Sequence, residues 1–205
     1  MKRPRPALLR LAAATIAAAC LALPGPGGRA AAAGPAVAET AAASPVPEPD
    51  GYRMDEYRAP VPATLSGGTV VDTQAAKALH DRGVPFVDVL PRAPRPKNLP
   101  EGTIWRPKER ANIPGSLWLV DTGYGELPPV MENYLMRGLA RVTGGDKSAP
   151  VVIYCQRDCW MSWNAARRAI AAGYTAVHWY PDGTEGWAEA GLPLVAAEPE
   201  PRPDE

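Results

Sequence analysis

The strongest constraint on this 205-residue chain is a run of four apolar residues, Val151-Val152-Ile153-Tyr154, that ends on Cys155 and soon enters a helix-forming stretch. A strand with one wet face alternates apolar and polar side chains. An unbroken apolar run needs cover on both faces, the condition of a parallel sheet layered between helices. Phe86 to Leu90, Ser116 to Val120 and Val177 to Tyr180 repeat the signal, the first with a single acid, Asp88, inside it. Helical patterns lie between them. Asp72 or Thr73 can cap a helix to Arg82 that Gly83 ends, with Ala75, Ala76 and Leu79 on one face. Pro128/Pro129 to Arg141 carries Val130, Tyr134, Leu135, Leu139 and Val142 roughly in helical register. A third helix runs to about Ala172, with Ala165, Ala166, Ala169 and Ala172 small enough for close packing on a sheet. Strands alternating with helices predict an α/β domain built on an open, mostly parallel sheet with helices on both faces.

The ends of the chain read differently. Lys2 to Arg5 precede an apolar run from Ala7 to Leu23, then helix-breaking Pro24 to Gly28 and the small-residue patterns Ala31-Ala32-Ala33 and Ala36-Val37-Ala38. This is the layout of an export signal over residues 1–38. The run is Ala-rich and holds Arg10, so removal is expected in place of a membrane anchor, leaving no stable span and a periplasmic protein. Residues 39–68 are expected to be a linker and an N-terminal arm, with Pro24 to about Asp50 too poor in apolar residues to fold. The richer stretch Gly51 to Gly68 can pack along the domain. The domain itself is placed at 69–195, and the Pro-rich acidic tail at 196–205 is expected to be disordered.

Charge excludes some partners. All 22 acidic residues lie at or beyond Glu39, while five of the 22 basic ones precede it, so the remainder has 17 basic against 22 acidic residues, a net −5. With no Lys/Arg cluster there is no footprint for nucleic acid.

Once the signal and its Cys20 are gone, Cys155 and Cys159 are the only cysteines. Cys155 stands at the carboxyl end of a strand expected to be buried, where open α/β folds collect ligands. A strand-to-helix loop there turns backbone N–H groups and a helix dipole toward one spot, and a thiol at that spot has its thiolate stabilised. Cys155 is therefore the expected nucleophile, with the amides of Gln156 to Met161 around it. Gln156, Arg157, Asp158, Trp160 and Met161 form the expected anion or substrate loop, and Asp88 a supporting group.

Separated pieces from Thr69 to Val195 resemble rhodanese-like domains: Phe86-Val87-Asp88-Val89, the turn Asn112-Ile113-Pro114-Gly115-Ser116 with Asn112 in place of the usual His, Val152-Ile153-Tyr154-Cys155, and Asp182 to Leu194. The resemblance implies a rhodanese-like sheet and sulfur transfer by Cys155. It departs where that family commonly has a basic residue five positions after the cysteine, which here is Trp160, and a related phosphatase would need Arg where Met161 stands. A narrower resemblance joins the arm, Gly51 to Ala63, with Cys155-Gln156-Arg157-Asp158-Cys159-Trp160. Together they are similar to the exported PQQ-dependent catabolism-associated CXXCW motif proteins. That implies association with PQQ-dependent enzymes and, as partners, periplasmic proteins of a quinoprotein alcohol oxidation system.

Three readings of the cysteine pair stay open. In an enzyme, Cys155 carries sulfane sulfur or a mixed disulfide and Cys159 resolves it, the partner being a small sulfur compound or a protein thiol. In a binding module, the pair holds a soft metal or contacts a redox cofactor. His80 and His178 are the only histidines and neither is near in sequence, so no metal site is assigned. PQQ carboxylates would call for Arg157 with Arg167 or Arg168. In a docking module, a permanent Cys155–Cys159 disulfide locks a catalytically dead loop.

Overall fold

In the computed structural model, the described residues are 46–93, 96–106 and 108–203. The expected signal segment and the start of the linker lie outside them. Among the described residues no helix is long and apolar enough to cross a membrane.

Five parallel strands form the central sheet: β1 (Thr69–Val70), β2 (Phe86–Asp88), β4 (Leu117–Trp118), β5 (Val151–Tyr154) and β6 (Val177–Tyr180), in the order β1-β6-β5-β2-β4. The run Val151–Tyr154 occupies the centre, with Val152 opposite Phe86 on one side and His178 on the other. Its side chains alternate between two cores. Val151 and Ile153 join one with α2 (Pro129–Thr143) and α3 (Trp160–Ala171), and Val152 and Tyr154 join another with α1 (Thr73–Asp81) and α4 (Gly183–Glu189). This is why the sequence shows no alternation there. The sheet is apolar on both faces because helices cover both.

The helices begin and end for local reasons. Asp72 caps α1 by accepting a 2.8 Å hydrogen bond from the Ala75 amide, and Gly83 leaves the helix with a φ of +77°. Ala76 and Leu79 are buried as expected, whereas Ala75 faces solvent. On α2 the buried stripe is Met131, Tyr134, Leu135, Gly138 and Leu139, so Val130, expected inside, is exposed. Gly138 permits this packing, since a Cβ there would sit 2.4 Å from a Leu119 methyl.

Two expectations are corrected. The tail from Ala196 is not disordered over its described residues. Val195–Ala197 is a strand, β7, antiparallel to β3 (Arg110–Asn112) in a separate two-stranded sheet. Beyond it, the Glu200 amide donates to the Trp118 carbonyl at 2.9 Å, Tyr134 donates to the Glu200 carbonyl at 2.6 Å, and Arg141 grips the Glu200 carboxylate. Composition showed few apolar residues in the tail, but these are mostly backbone and charge contacts, which composition does not register. The end of the linker is likewise docked. The Ser66 amide donates to Glu48 at 3.0 Å, and Arg167 donates to the Pro49 carbonyl at 2.8 Å.

Truncation after Leu194 removes the strand partner of β3 and the Glu200 contacts. It is expected to cost about 1–3 kcal/mol of stability, read as a lower urea midpoint with the parallel sheet retained.

Candidate functional site

β5 delivers Cys155 to the carboxyl edge of the sheet between β2 and β6, and α3 begins at Trp160 with Cys159 as its N-cap residue. The intervening loop is curled. Asp158 takes a left-handed φ of +52°, and Gln156 bridges to Gly183 at the start of α4. Gly183 is required there, because a Cβ would fall 2.6 Å from the Cys155 carbonyl oxygen. The curl brings the two cysteines together as free thiols, the Cys155 Sγ lying 3.6 Å from the carbonyl oxygens of both Gln156 and Cys159.

The environments of the two sulfurs are opposite. Cys155 is 0% exposed, and burial pushes its thiol well above the ordinary range, helped by its role as donor to Cys159. Cys159, 3% exposed, is held below the ordinary thiol range. The chief cause is the Cys155 thiol donating to it, followed by the backbone amides of Met161, Gln156 and Ser162. The reason is positional. Cys159 is the N-cap residue of α3 and lies beside the positive end of its dipole, although its side chain makes no cap hydrogen bond. The expectation of a solvent-reachable Cys155 is overturned, because Cys155 lies in the closed interior.

Other loop residues are spoken for. Arg157 turns outward, pairing with Glu189 through two 2.6 Å hydrogen bonds and with Asp182 at 3.3 Å, so it does not supply charge to either sulfur. Asp158 is exposed and its carbonyl accepts from the Ala59 amide at 3.1 Å. The Trp160 amide donates to the Tyr57 carbonyl at 2.9 Å and its indole to the Pro60 carbonyl at 3.1 Å. The arm is thus a strap with Arg58 bridged to Cys159, and Trp163, Asn164 and Arg53 fasten it further. Trp160 packs edge-to-face on Trp163 and under the strap, which leaves it no open face for a flat ligand. Met161 closes on Gly123, where a Cβ would meet the Met161 Cβ at 2.3 Å. Gln156 and Met161 line a cleft of about 290 Å³ with Tyr57, Arg58, Leu90 and Tyr124. Neither cysteine lines it.

Asp88, fully buried at the end of β2, is a partner of Arg110, whose Nε and Nη2 lie 2.9 and 2.7 Å from Oδ2. Its other oxygen accepts from the Leu90 amide at 2.9 Å. Burial outweighs these contacts and raises its pKa to about 6. Arg167 and Arg168 are committed to carbonyls of the arm and of Tyr124, so the trio considered for PQQ carboxylates is not assembled. Among the described residues no three His, Cys, Asp or Glu side chains converge on a metal position.

The family pattern of the rhodanese-like domain matches residues 72–190. The chain belongs to this family. Among curated proteins none matches it. One similar solved structure is the solution structure of the 30 kDa polysulfide-sulfur transferase homodimer from Wolinella succinogenes, at 17% identity and a TM-score of 0.39 over 63% of this chain and 80% of that one.

Arg110 and Thr184 of the rhodanese-like domain and Tyr57 to Pro60 of the arm reach the cysteine loop, though none was expected among the site residues. Arg110 carried no signal, being one basic residue in the run with Arg106 and Lys108. Asn112, where the family usually has His, is buried with neither amide atom hydrogen-bonded.

The shift of Asp88 has a sign that can be checked. The folded chain holds this proton up to about pH 6, against an ordinary value of 3.8. In that window the folded state binds more protons than the unfolded one, so the Asp88 contribution to stability falls as pH rises through it. Urea midpoints across that window are expected to decline with pH in the wild type and to lose that part of the slope in Asp88→Asn.

Proposed function

We propose that this rhodanese-like domain performs thiol chemistry in which Cys159 is the attacking thiolate and Cys155 the resolving thiol. One observation carries the reading: Cys159 is the N-cap residue of α3, beside the positive end of the helix, with its thiol held below the ordinary range, while burial pushes the Cys155 thiol above it. A thiolate there is stabilised where a thiol in the sheet is not. The roles are reversed from those the sequence suggested.

The steps balance as follows. Cys159 S⁻ attacks one sulfur of an incoming disulfide, forming a mixed disulfide and expelling the other half as a thiolate. The Cys155 proton passes to that departing sulfur. Cys155 S⁻ then attacks Cys159 Sγ, releasing the second thiolate and leaving the Cys155–Cys159 disulfide. The dithiol loses two electrons and the substrate gains them. With a persulfide donor the same attack leaves a sulfane sulfur on Cys159, which Cys155 can displace as hydrosulfide. Both sulfurs are nearly fully buried, so the strap over Cys159 has to yield for any partner to enter.

The same burial supports a second reading, a permanent Cys155–Cys159 disulfide that stiffens a docking loop. The CxxxCW loop and the arm at Gly51–Ala63 add a setting for either reading: an exported, periplasmic protein of a quinoprotein alcohol oxidation system.

At pH 7, alkylation followed by peptide mass spectrometry is expected to modify Cys159 before Cys155. Cys155→Ser is expected to trap a mixed disulfide on Cys159, and Cys159→Ser to lower disulfide-exchange and sulfur-transfer rates by at least about tenfold. Wild-type rates in Cys159→Ser would overturn the catalytic role. A disulfide that persists in the folded protein under mild reductant would select the docking reading.

A further inference from the structure

Folding gathers a basic trough at the carboxyl edge of the sheet. Three cavities of about 400, 300 and 290 Å³ abut there. The first two share Lys108, Arg110 and Trp118, the last two share Pro91 and Gln156, and Arg92 lines all three. They form one continuous trough. Its far end lies by Glu198 of the tail, and its near end at Tyr57, Tyr124 and Met161. There it reaches the cysteine loop twice. Gln156, which follows Cys155, forms part of the wall, and Arg58, also in the wall, is the strap residue bridged to Cys159.

Positive charge is concentrated along this trough. From Glu39 onward the chain has 17 basic against 22 acidic residues. Yet Arg58, Arg92, Arg106, Lys108 and Arg110 line the trough against two acids, Glu109 and Glu198. Arg110 is paired with Asp88. Arg58, Arg106 and Lys108 are exposed and, among the described residues, none of them is ion-paired with a carboxylate. Like charges held together repel, and an occupant that neutralises them relieves the repulsion.

The layout selects the kind of anion. A compact oxyanion is held by donors that converge on one point. These cations come from the arm, the turn after β2, the stretch before β3 and β3 itself, and they follow one another along the trough. That spacing matches carboxylates distributed along an extended chain. Glu109 and Glu198 interrupt the row, which disfavours the unbroken charge of a nucleic-acid backbone.

We propose that the trough docks an acidic, extended segment of a partner protein and brings that partner's disulfide to the strap over Cys159. Docking needs only the trough, whereas delivery rests on Cys159 and Cys155 acting as the thiol pair.

Docking is read by fluorescence anisotropy of a labelled, cysteine-free peptide of alternating Glu and Gly, added to the reduced full-length chain. The peptide is expected to bind at low salt and to weaken roughly tenfold on raising salt to about 200 mM. It is expected to weaken at least about tenfold in Arg106→Glu/Lys108→Glu. Both residues are exposed, and surface replacements leave the fold in place. Arg82→Glu/Arg137→Glu makes the same change in net charge on exposed residues outside the trough and is expected to bind like the wild type. Equal binding of a Gln-Gly peptide or of a single-stranded oligonucleotide overturns the docking, as does indifference to Arg106→Glu/Lys108→Glu. Delivery is read with a peptide disulfide flanked by Glu against the same disulfide flanked by Gln. The wild type is expected to reduce the acidic one about tenfold faster at low salt, and Arg106→Glu/Lys108→Glu to reduce both alike. Equal rates in the wild type overturn this inference and leave the thiol chemistry standing. Docking without reduction of either peptide overturns the thiol chemistry, and delivery with it, and leaves the docking surface.

Discussion

The first turn of α3 has amides that no helical carbonyl can reach, and the answer to that shortage organises the site. The Trp160 amide takes the Tyr57 carbonyl from the arm, and Cys159 stands at the N-cap beside it. A buried helix end without partners is costly, with each unsatisfied donor worth about 1–3 kcal/mol. A sulfur and a strap backbone therefore meet at one helix terminus. This couples an electrostatic feature, a thiol held below its ordinary range, to a mechanical one, the strap that covers it.

The CxxxCW loop is consequently as much a receptor for the arm as a reactive segment. Trp160, Trp163 and Asn164 each spend their polar group on the arm, at Pro60, Thr64 and Arg53. Indole N–H groups buried in a core need an acceptor, and the arm, irregular and without its own ladder, has carbonyls to spare. Tryptophans near a cysteine invite a ligand-stacking interpretation. Here their rings are filled by each other and by Arg53 and Arg167, at 5.5, 5.3 and 5.2 Å.

A second chain of dependence runs under the sheet edge. Asp88 on β2 holds Arg110 on β3, Arg110 holds the Cys155 carbonyl at the end of β5, and the tail strand β7 holds β3. Removing one member of a buried ion pair costs about 3–5 kcal/mol because the other is left charged and unpaired. The small sheet formed by the tail is thus tied, through one guanidinium, to the peptide beneath the cysteines. That link could not be inferred from the tail, whose Pro-rich acidic composition resembles that of segments that do not fold.

The amino-acid sequence alone determined the layered α/β architecture, because an apolar run such as Val151 to Tyr154 is tolerable only between two covered faces. It also determined that a cysteine pair stands at the start of a helix on the sheet's carboxyl edge. Only the tertiary structure decided how the two thiols differ, burial pushing Cys155 up while Cys159 is held below the ordinary range. Residue spacing says that Cys155 follows a strand and Cys159 precedes a helix. It does not say that the loop curls at Asp158, leaving Cys155 fully buried among apolar neighbours. Strand and helix periodicities are local and survive in one dimension. The direction of an amide, and the arrival of Arg110 from 45 residues away, depend on loop closure and strand pairing, which do not.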